Sequence, residues 1–235
     1  MTALVALVLA GMYAFLKPTH KQNESLFNKK SILSALGENL PKPVTKMSDS
    51  EIEDLFTNNV EQIVLNMDGE QLTKEQVEAA GYIGGMAEHV DMKKEKKKPE
   101  ADRMLPLYIY NNSGEKYYIV SVRGNGLWDE IWGNIALEDD LDVIAGVAFD
   151  HQAETPGLGA EIKDNKTWVN QFTGKEIFND QGEYESVTVV KAGAKDPDHE
   201  VDGISGATIT ADGVTEMMQR GIKYYTPYFD KLKQG

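Results

Sequence analysis

The sequence predicts an α+β protein: an N-terminal membrane-anchor helix over residues 1–16, a helical connector over 17–102, and a mixed α+β domain over 103–230. Three observations predict it. Residues 1–16, "MTALVALVLAGMYAFL", carry no charge. Apolar residues at helical spacing then recur through the next segments. From Leu105 the texture changes to β-branched and aromatic runs, separated by Gly-rich polar loops.

The first run is apolar on all faces, as a lipid-facing helix is. As a helix it spans about 24 Å, against about 30 Å of bilayer hydrocarbon, so further residues are expected upstream. It lacks the basic start and small-residue cleavage site of a signal peptide. A buried core helix is the alternative. Lys17, Lys21, Lys29 and Lys30 follow, and on charge alone would hold the following chain in the cytoplasm.

"KKSILSALG" suits a helix ended at Gly37, and "LPKPV" at 40–44 is a breaker. Ser50 and Glu53 fit a capping box, with Ile52, Leu55, Phe56, Val60, Ile63 and Val64 on one helical face up to Gly69. "LTKEQVEAAGYIGGMAEHV" suits a second helix, weakened by Gly81, Gly84 and Gly85. "KKEKKKPE" at 93–100 reads as a solvated linker. "LPLYIYNNSGEKYYIVSVRG" predicts a hairpin turning at 112–114. Residues 141–151 suit a buried strand and 186–191 a central one. The end is helical, with Thr210 or Asp212 as N-cap and a stripe of Val214, Met217, Met218, Ile222 and Tyr225.

The formal net charge of −14 argues against nucleic acid, whose phosphates require Lys and Arg. The acidity is concentrated late: residues 101–235 hold 23 acids and 12 bases, residues 1–100 hold 15 and 12. There is no cysteine, which excludes disulfides, thiolate catalysis and iron–sulfur ligation. The four His (20, 89, 151 and 199) are scattered, and no metal site is expected.

Three clusters could carry chemistry. "RGNGLWDEIWG" (123–133) is either a Gly-rich turn with core tryptophans or a loop whose backbone approaches a flat ligand, with Leu127 or Trp128 against it. It lacks the spacing of a dinucleotide-binding fingerprint. "HQAETPGLGAEI" (151–162) is a rigid loop after a strand. Its Glu154, Thr155 and Leu158 suit a heterocycle with polar edges. "DGISGATIT" (202–210) precedes a helix. It has no hydrolase elbow or triad; it is either a plain cap or a phosphate cradle, with Lys191 adding positive charge.

Taken together, "DGISGAT", "HQAETPGLGAEI" and "RGNGLW" resemble the covalent-FMN-binding domain of the C subunit of the sodium-translocating NADH:quinone reductase. Its sister family is the G subunit of the Rnf electron-transport complex. The resemblance covers about residues 103–226 strongly and the anchor weakly. The long connector, "LPLYIY" and "WDEIWGNIALEDDL" favour the reductase family over the Rnf one. The resemblance implies that Thr208 carries FMN as a phosphoester, installed by a flavin transferase that consumes FAD. It implies that Ser205, Gly206 and Ala207 lie against the phosphate, and that Glu154, Thr155, Leu158 and Gly159 line the isoalloxazine. Leu127 and Trp128 would close the other side, and Lys191 would sit near the polar end. The implied chain is an electron carrier within a larger complex, without an NADH site of its own. Its partners are the other subunits of the complex and the inner membrane, with the flavin domain on the periplasmic side. The remaining alternative is a membrane-tethered scaffold without flavin.

Overall fold

The computed structural model of the chain describes residues 2–112 and 114–234. Helix α1 runs from Thr2 to Ser34, through Pro18. Its length is about 50 Å at the ordinary helical rise. Leu7, Leu9, Met12, Tyr13 and Phe15 are exposed along its first half, whereas Ile32 and Leu33 in its last turn, and Ala35 and Leu36 just after it, are buried. Met1, at the start of the expected anchor, lies outside the described residues. Among the described residues no helix is long and apolar enough to cross a membrane. The uncharged run is thus the exposed opening of a longer helix whose far end belongs to the core.

Two of the lysines that follow that run are held within the fold. Lys29 pairs with Glu53 at 2.6 Å and Lys30 with Asp49 at 2.7 Å, both on helix α2 (Asp49–Asn59). The capping box of α2 is Ser48 with Glu51, two residues before the expected pair. The helix also ends earlier than expected. Val60–Leu65 form strand β1, and alternate residues face opposite ways: Ile63 and Leu65 into one core, Val60 and Val64 into the other. Helix α3 (Lys74–Ala79) starts at a second capping box, Thr73 with Gln76. Gly81, Gly84 and Gly85, all at positive φ, then break the chain into short turns. Helix α4 (Met92–Glu95) opens the charge run. That run is no solvated linker, because Glu95 is only 1% exposed. Its carboxylate accepts from Tyr82 and from Met104 N, and Lys98 lies 2.7 Å away.

Strands β2 (Leu105–Asn112), β3 (Glu115–Asn125), β4 (Glu130–Leu137) and β5 (Ile144–His151) complete an antiparallel sheet in the order β1-β2-β3-β4-β5. Asn112 pairs with Glu115 across the expected hairpin, whose turn includes Ser113, outside the described residues. Strand β4 is an addition to the expected elements. Gly133 sits in its middle because a Cβ there would come within 2.5 Å of Phe149.

The short helices α5 (Glu161–Asp164) and α6 (Lys166–Val169) follow β5. Strand β6 (Thr188–Val190) pairs in parallel only with β7 (Glu200–Asp202), so it is not central to the main sheet. Helix α7 (Thr208–Lys223) packs along β3, and α8 (Thr226–Gln234) follows. The expected stripe on α7 is buried throughout, from Val214 to Tyr225. The Tyr225 hydroxyl lies 3.0 Å from both Pro106 O and Ser121 O, which joins the helix end to β2 and β3. The result is a mixed α+β fold: a five-stranded sheet with a helical layer and a hydrophobic core on each face, and a separate two-stranded sheet.

Candidate functional site at the start of helix α7

Helix α7 begins at Thr208, and its N-cap Ala207 offers no side-chain cap. The start therefore lies earlier than the expected caps at Thr210 or Asp212. The N–H groups of an uncapped first turn have no partner inside the helix and carry the positive end of its dipole. Thr208 is exposed and Thr210 is fully buried. Two hydroxyls two residues apart thus have different tasks.

The buried one is anchored. Thr210 Oγ1 donates to Glu154 Oε2 at 2.6 Å, and Glu154 Oε1 accepts from the Trp128 backbone N–H at 2.9 Å. Glu154 is 4% exposed and, among the described residues, forms no ion pair. Its two oxygens therefore join the loop after β3, the loop after β5 and the first turn of α7. The fit is tight. A Cβ on Gly126 would lie 2.4 Å from Glu154 Oε1, and one on Gly159 would lie 2.3 Å from Oε2. Glu154 N donates to His151 Nδ1 at 3.1 Å. An imidazole that accepts at Nδ1 carries its neutral-state proton on Nε2.

The loop 151–160 also reaches the hydroxyl-rich stretch. Leu158 lies over Gly206, where an added Cβ would be 2.8 Å from its Cδ2. Gly206 has φ +76°, which favours glycine independently of that contact. The Thr155 carbonyl turns the loop by accepting from Leu158 N and Ala160 N, both at 3.1 Å. At the other end of the stretch, Trp168 Nε1 donates to Asp202 O at 2.6 Å, and Gly203 N donates to Val190 O at 2.8 Å. Gly203 thereby passes close to Lys191, whose side chain is exposed.

The residues singled out in the sequence therefore gather, with different exposures. Ser205, Gly206, Thr208, Thr155, Leu127, Trp128, Leu158 and Lys191 are exposed; Ala207, Glu154 and Gly159 are buried. Trp128 is 67% exposed, so it is not a core tryptophan. Sequence reasoning missed the Glu154–Thr210 bond and the exposed Ile209. It also missed Gly126, whose signal was the second glycine of "GNG". Leu127, Trp128 and Leu158 on the loops, and Ile209 in the first turn of α7, are large apolar side chains left open to solvent on segments joined by Glu154. Two recesses occur elsewhere: a cavity of about 180 Å³ against the middle of α7, and an open groove of about 790 Å³ beside α1. Neither is lined by Thr208, Glu154 or Leu158.

An FMN-binding domain family matches residues 126–223, which include all these loops and α7. Over its length the chain is similar to the C subunit of the Na(+)-translocating NADH-quinone reductase of Haemophilus ducreyi, at 31% identity over 99% of this chain and 91% of that protein. The Pseudomonas aeruginosa C subunit is 32% identical over 100% of this chain and 96% of that one. The crystal structure of the Parabacteroides distasonis C subunit superposes with a TM-score of 0.76 at 34% identity, covering 91% of this chain and 96% of that one. That of Shewanella oneidensis NqrC gives 0.73 at 27% identity, covering 91% and 99%. With full-length similarity above 30% identity and a shared fold around one FMN-binding domain, the chain belongs to the NqrC family, the C subunits of the Na(+)-translocating NADH-quinone reductase.

Proposed function

We propose that this chain carries FMN as a phosphoester on the Thr208 hydroxyl and relays electrons inside a sodium-pumping NADH:quinone reductase. The observation that carries the reading is the exposed Thr208 at the start of an uncapped sixteen-residue helix. The residues present fit the group on three counts. The first-turn N–H groups and the helix dipole favour a phosphate there, by about 0.3–1 kcal/mol for the dipole alone. Gly206 and Ala207 lack bulk, so the backbone is approachable beside the hydroxyl. Leu158, Leu127 and Trp128 offer exposed apolar surface to a flat ring.

Bound FMN supplies the redox chemistry that side chains lack. The protein's own part is to hold it. Glu154 fixes the loops that present Trp128 and Leu158, and both its oxygens already have donors within the chain. In this reading it positions the platform and does not itself meet the ring, whereas Gly159 gives the carboxylate room. Lys191, exposed beside Gly203, adds a positive charge that favours anionic reduced flavin in an acidic domain. An exposed platform suits a tethered cofactor, since a covalent link keeps it at an effective concentration of roughly millimolar without tight binding.

The flavin-bearing unit is residues 103–230, and 17–102 is the connector, which adds β1 to the sheet. In this reading the chain is held at the inner membrane, which the exposed apolar opening of α1 supports. A separate flavin transferase installs the cofactor on the periplasmic side, and the other subunits of the complex supply and accept the electrons. Co-expression with a flavin transferase is expected to yield a chain that fluoresces after denaturation and is heavier by one FMN phosphoester. Thr208→Ala is expected to abolish both signals with an unchanged melting temperature. A wild-type tryptic peptide spanning residue 208 that shows only the mass of its amino acids sinks the reading.

A further inference from the structure

The charge run 93–98 folds back against β3, across a cavity from α7. The cavity of about 180 Å³ lies between this run, the end of β3 and the middle of α7. Its size compares with a cavity of about 150 Å³ that admits benzene. None of the residues proposed to hold FMN lines it. An occupant here is independent of whether Thr208 carries a flavin.

The lining holds both charged and apolar side chains. Lys96, Arg103, Arg123 and Arg220 supply four cations; Glu95 and Glu216 supply two carboxylates. Both carboxylates are engaged, Glu95 by Lys98 at 2.7 Å and Glu216 by Arg220 at 3.0 Å. Arg123 pairs with Glu130 at 2.9 Å and lies over the Trp132 ring.

The other two cations lack such a partner. Lys96 Nζ donates to Asn125 Oδ1 at 2.7 Å, but its carboxylate neighbour, Glu130 Oε1, is 3.9 Å away. Arg103 donates to Lys98 O, Lys96 O and the Tyr224 hydroxyl, and among the described residues no carboxylate lies within 4.0 Å of it. Burial pushes the Lys96 ammonium pKa down; Glu130 opposes the shift, while Arg123 and Arg220 add to it. An anion beside Lys96 would offset the repulsion from Arg123 and Arg220. Met92, Leu105, Val122, Met217 and the Tyr224 ring give the lining its apolar surface, beside the uncharged polar Ser121 and Asn125. In a chain of net charge −14 this concentration of cations is local, not a general basicity.

We propose that this cavity is a binding site for a small organic carboxylate with a ring-sized apolar body, its charge held by Lys96 and Arg103. Inorganic phosphate shares the negative charge but leaves the apolar walls uncovered, so the two are separable.

The test titrates the full chain with benzoate, benzyl alcohol, benzylamine and inorganic phosphate, followed by amide chemical shifts. Benzoate is expected to bind with about millimolar affinity and to move the amides of Gly124, Asn125, Gly213 and Met217. Benzyl alcohol, benzylamine and phosphate are expected to bind at least about tenfold more weakly, the cost of losing either the charge or the apolar contact. Lys96→Met should weaken benzoate by about tenfold, whereas Lys96→Arg should retain it within about threefold and shows that the site still folds. Arg103→Gln should weaken it similarly. Equal binding of benzyl alcohol or phosphate overturns the proposal. So do benzoate shifts that map elsewhere, or unchanged affinity in Lys96→Met.

Discussion

The two layers that cover the sheet are built differently. On one face, α7 is seated through three close glycine contacts. A Cβ on Gly213 would lie 2.2 Å from Asn125 O, one on Gly221 2.6 Å from Val122 Cγ1, and one on Gly124 2.7 Å from Met217 Cβ. On the other face, the end of α1, helix α2 and several one-turn segments cover the sheet. A comparably close contact there is Gly146, whose Cβ would lie 2.5 Å from Ala35 O. The Gly213 contact is with a backbone carbonyl and the other two are with side-chain atoms close to the main chain, so three successive points along α7 leave it little room to turn or slide. The first layer therefore holds a geometry, that of the exposed first turn of α7. The second layer chiefly buries apolar surface.

Gly213→Ala sharpens this contrast with the largest expected effect. The added methyl meets a carbonyl oxygen of the loop after β3, and overpacking of this kind costs about 3 kcal/mol. A chain of this length should then melt about 6–12 °C lower. Flavin loading of the protein that remains folded should fall, because Asn125 and Gly126 lead into the loop that Glu154 holds. Gly146→Ala should cost a similar amount of stability and leave loading of the folded fraction unchanged. Equal loss of loading in both variants would break the comparison between the layers.

Glu154→Ala comes next. It leaves the Trp128 N–H and the Thr210 hydroxyl without their buried acceptor, and about 3 kcal/mol follows from two lost charge-assisted bonds. Glu154→Gln should recover most of this. The amide oxygen can accept from Trp128 N–H, and the amide N–H can donate to Thr210, since a hydroxyl accepts as well as donates. Urea unfolding of both variants measures the difference. If Gln is as damaging as Ala, the negative charge matters and the clamp is more than a pair of hydrogen bonds.

The sequence was legible where one period dominated. The hairpin β2–β3, the buried strand β5 and the stripe on α7 stand as expected, because each run satisfies only one pattern. It failed where two periods coincide. Val60, Ile63 and Val64 fit helical spacing, but in β1 Ile63 faces one core and Val60 and Val64 the other. Strand β4 was hidden by Gly133 and Asn134, residues that signal a loop until Phe149 is seen to fill the space above Gly133. The charge run misled for a different reason. Only the fold supplies Tyr82 and Met104 as partners for Glu95, which offsets the cost of its burial. Within the site, the three motifs were readable as separate clusters, and only the family resemblance implied that they meet. The different burial of Thr208 and Thr210 was not readable, since it depends on which face of α7 meets Glu154.

Thr210→Val isolates the helix side of the clamp. It removes the donor to Glu154 Oε2 at nearly constant volume and should cost about 1.5 kcal/mol, less than Glu154→Ala because Trp128 N–H keeps its acceptor. Thr210→Ser retains the hydroxyl and should lose about 1 kcal/mol for the missing methyl group. Denaturant midpoints for the pair test this. Flavin loading should follow the same order, Ser above Val, if the bond orients the first turn.

The smallest effect belongs to the other layer and serves as its control. Ser48→Ala removes the side chain that caps α2 and should cost about 1 kcal/mol, with no change in flavin loading. It also has a titration signature. The Glu51 carboxyl is lowered from 4.5 to about 2, first by its hydrogen bond from Lys42 and then by those from Ser48. A lowered carboxyl pKa stabilises the fold above the unfolded value, and that contribution is lost as pH falls from about 4.5 towards 2. Without the Ser48 hydroxyl the Glu51 pKa should rise, while the bonds from Ser48 N and Lys42 keep it below 4.5. A side-chain NMR titration of Glu51 reads this directly. A loss of flavin in Ser48→Ala would mean that the layer around α1 and α2 also sets the geometry of the first turn of α7, and the distinction between the two faces would fall.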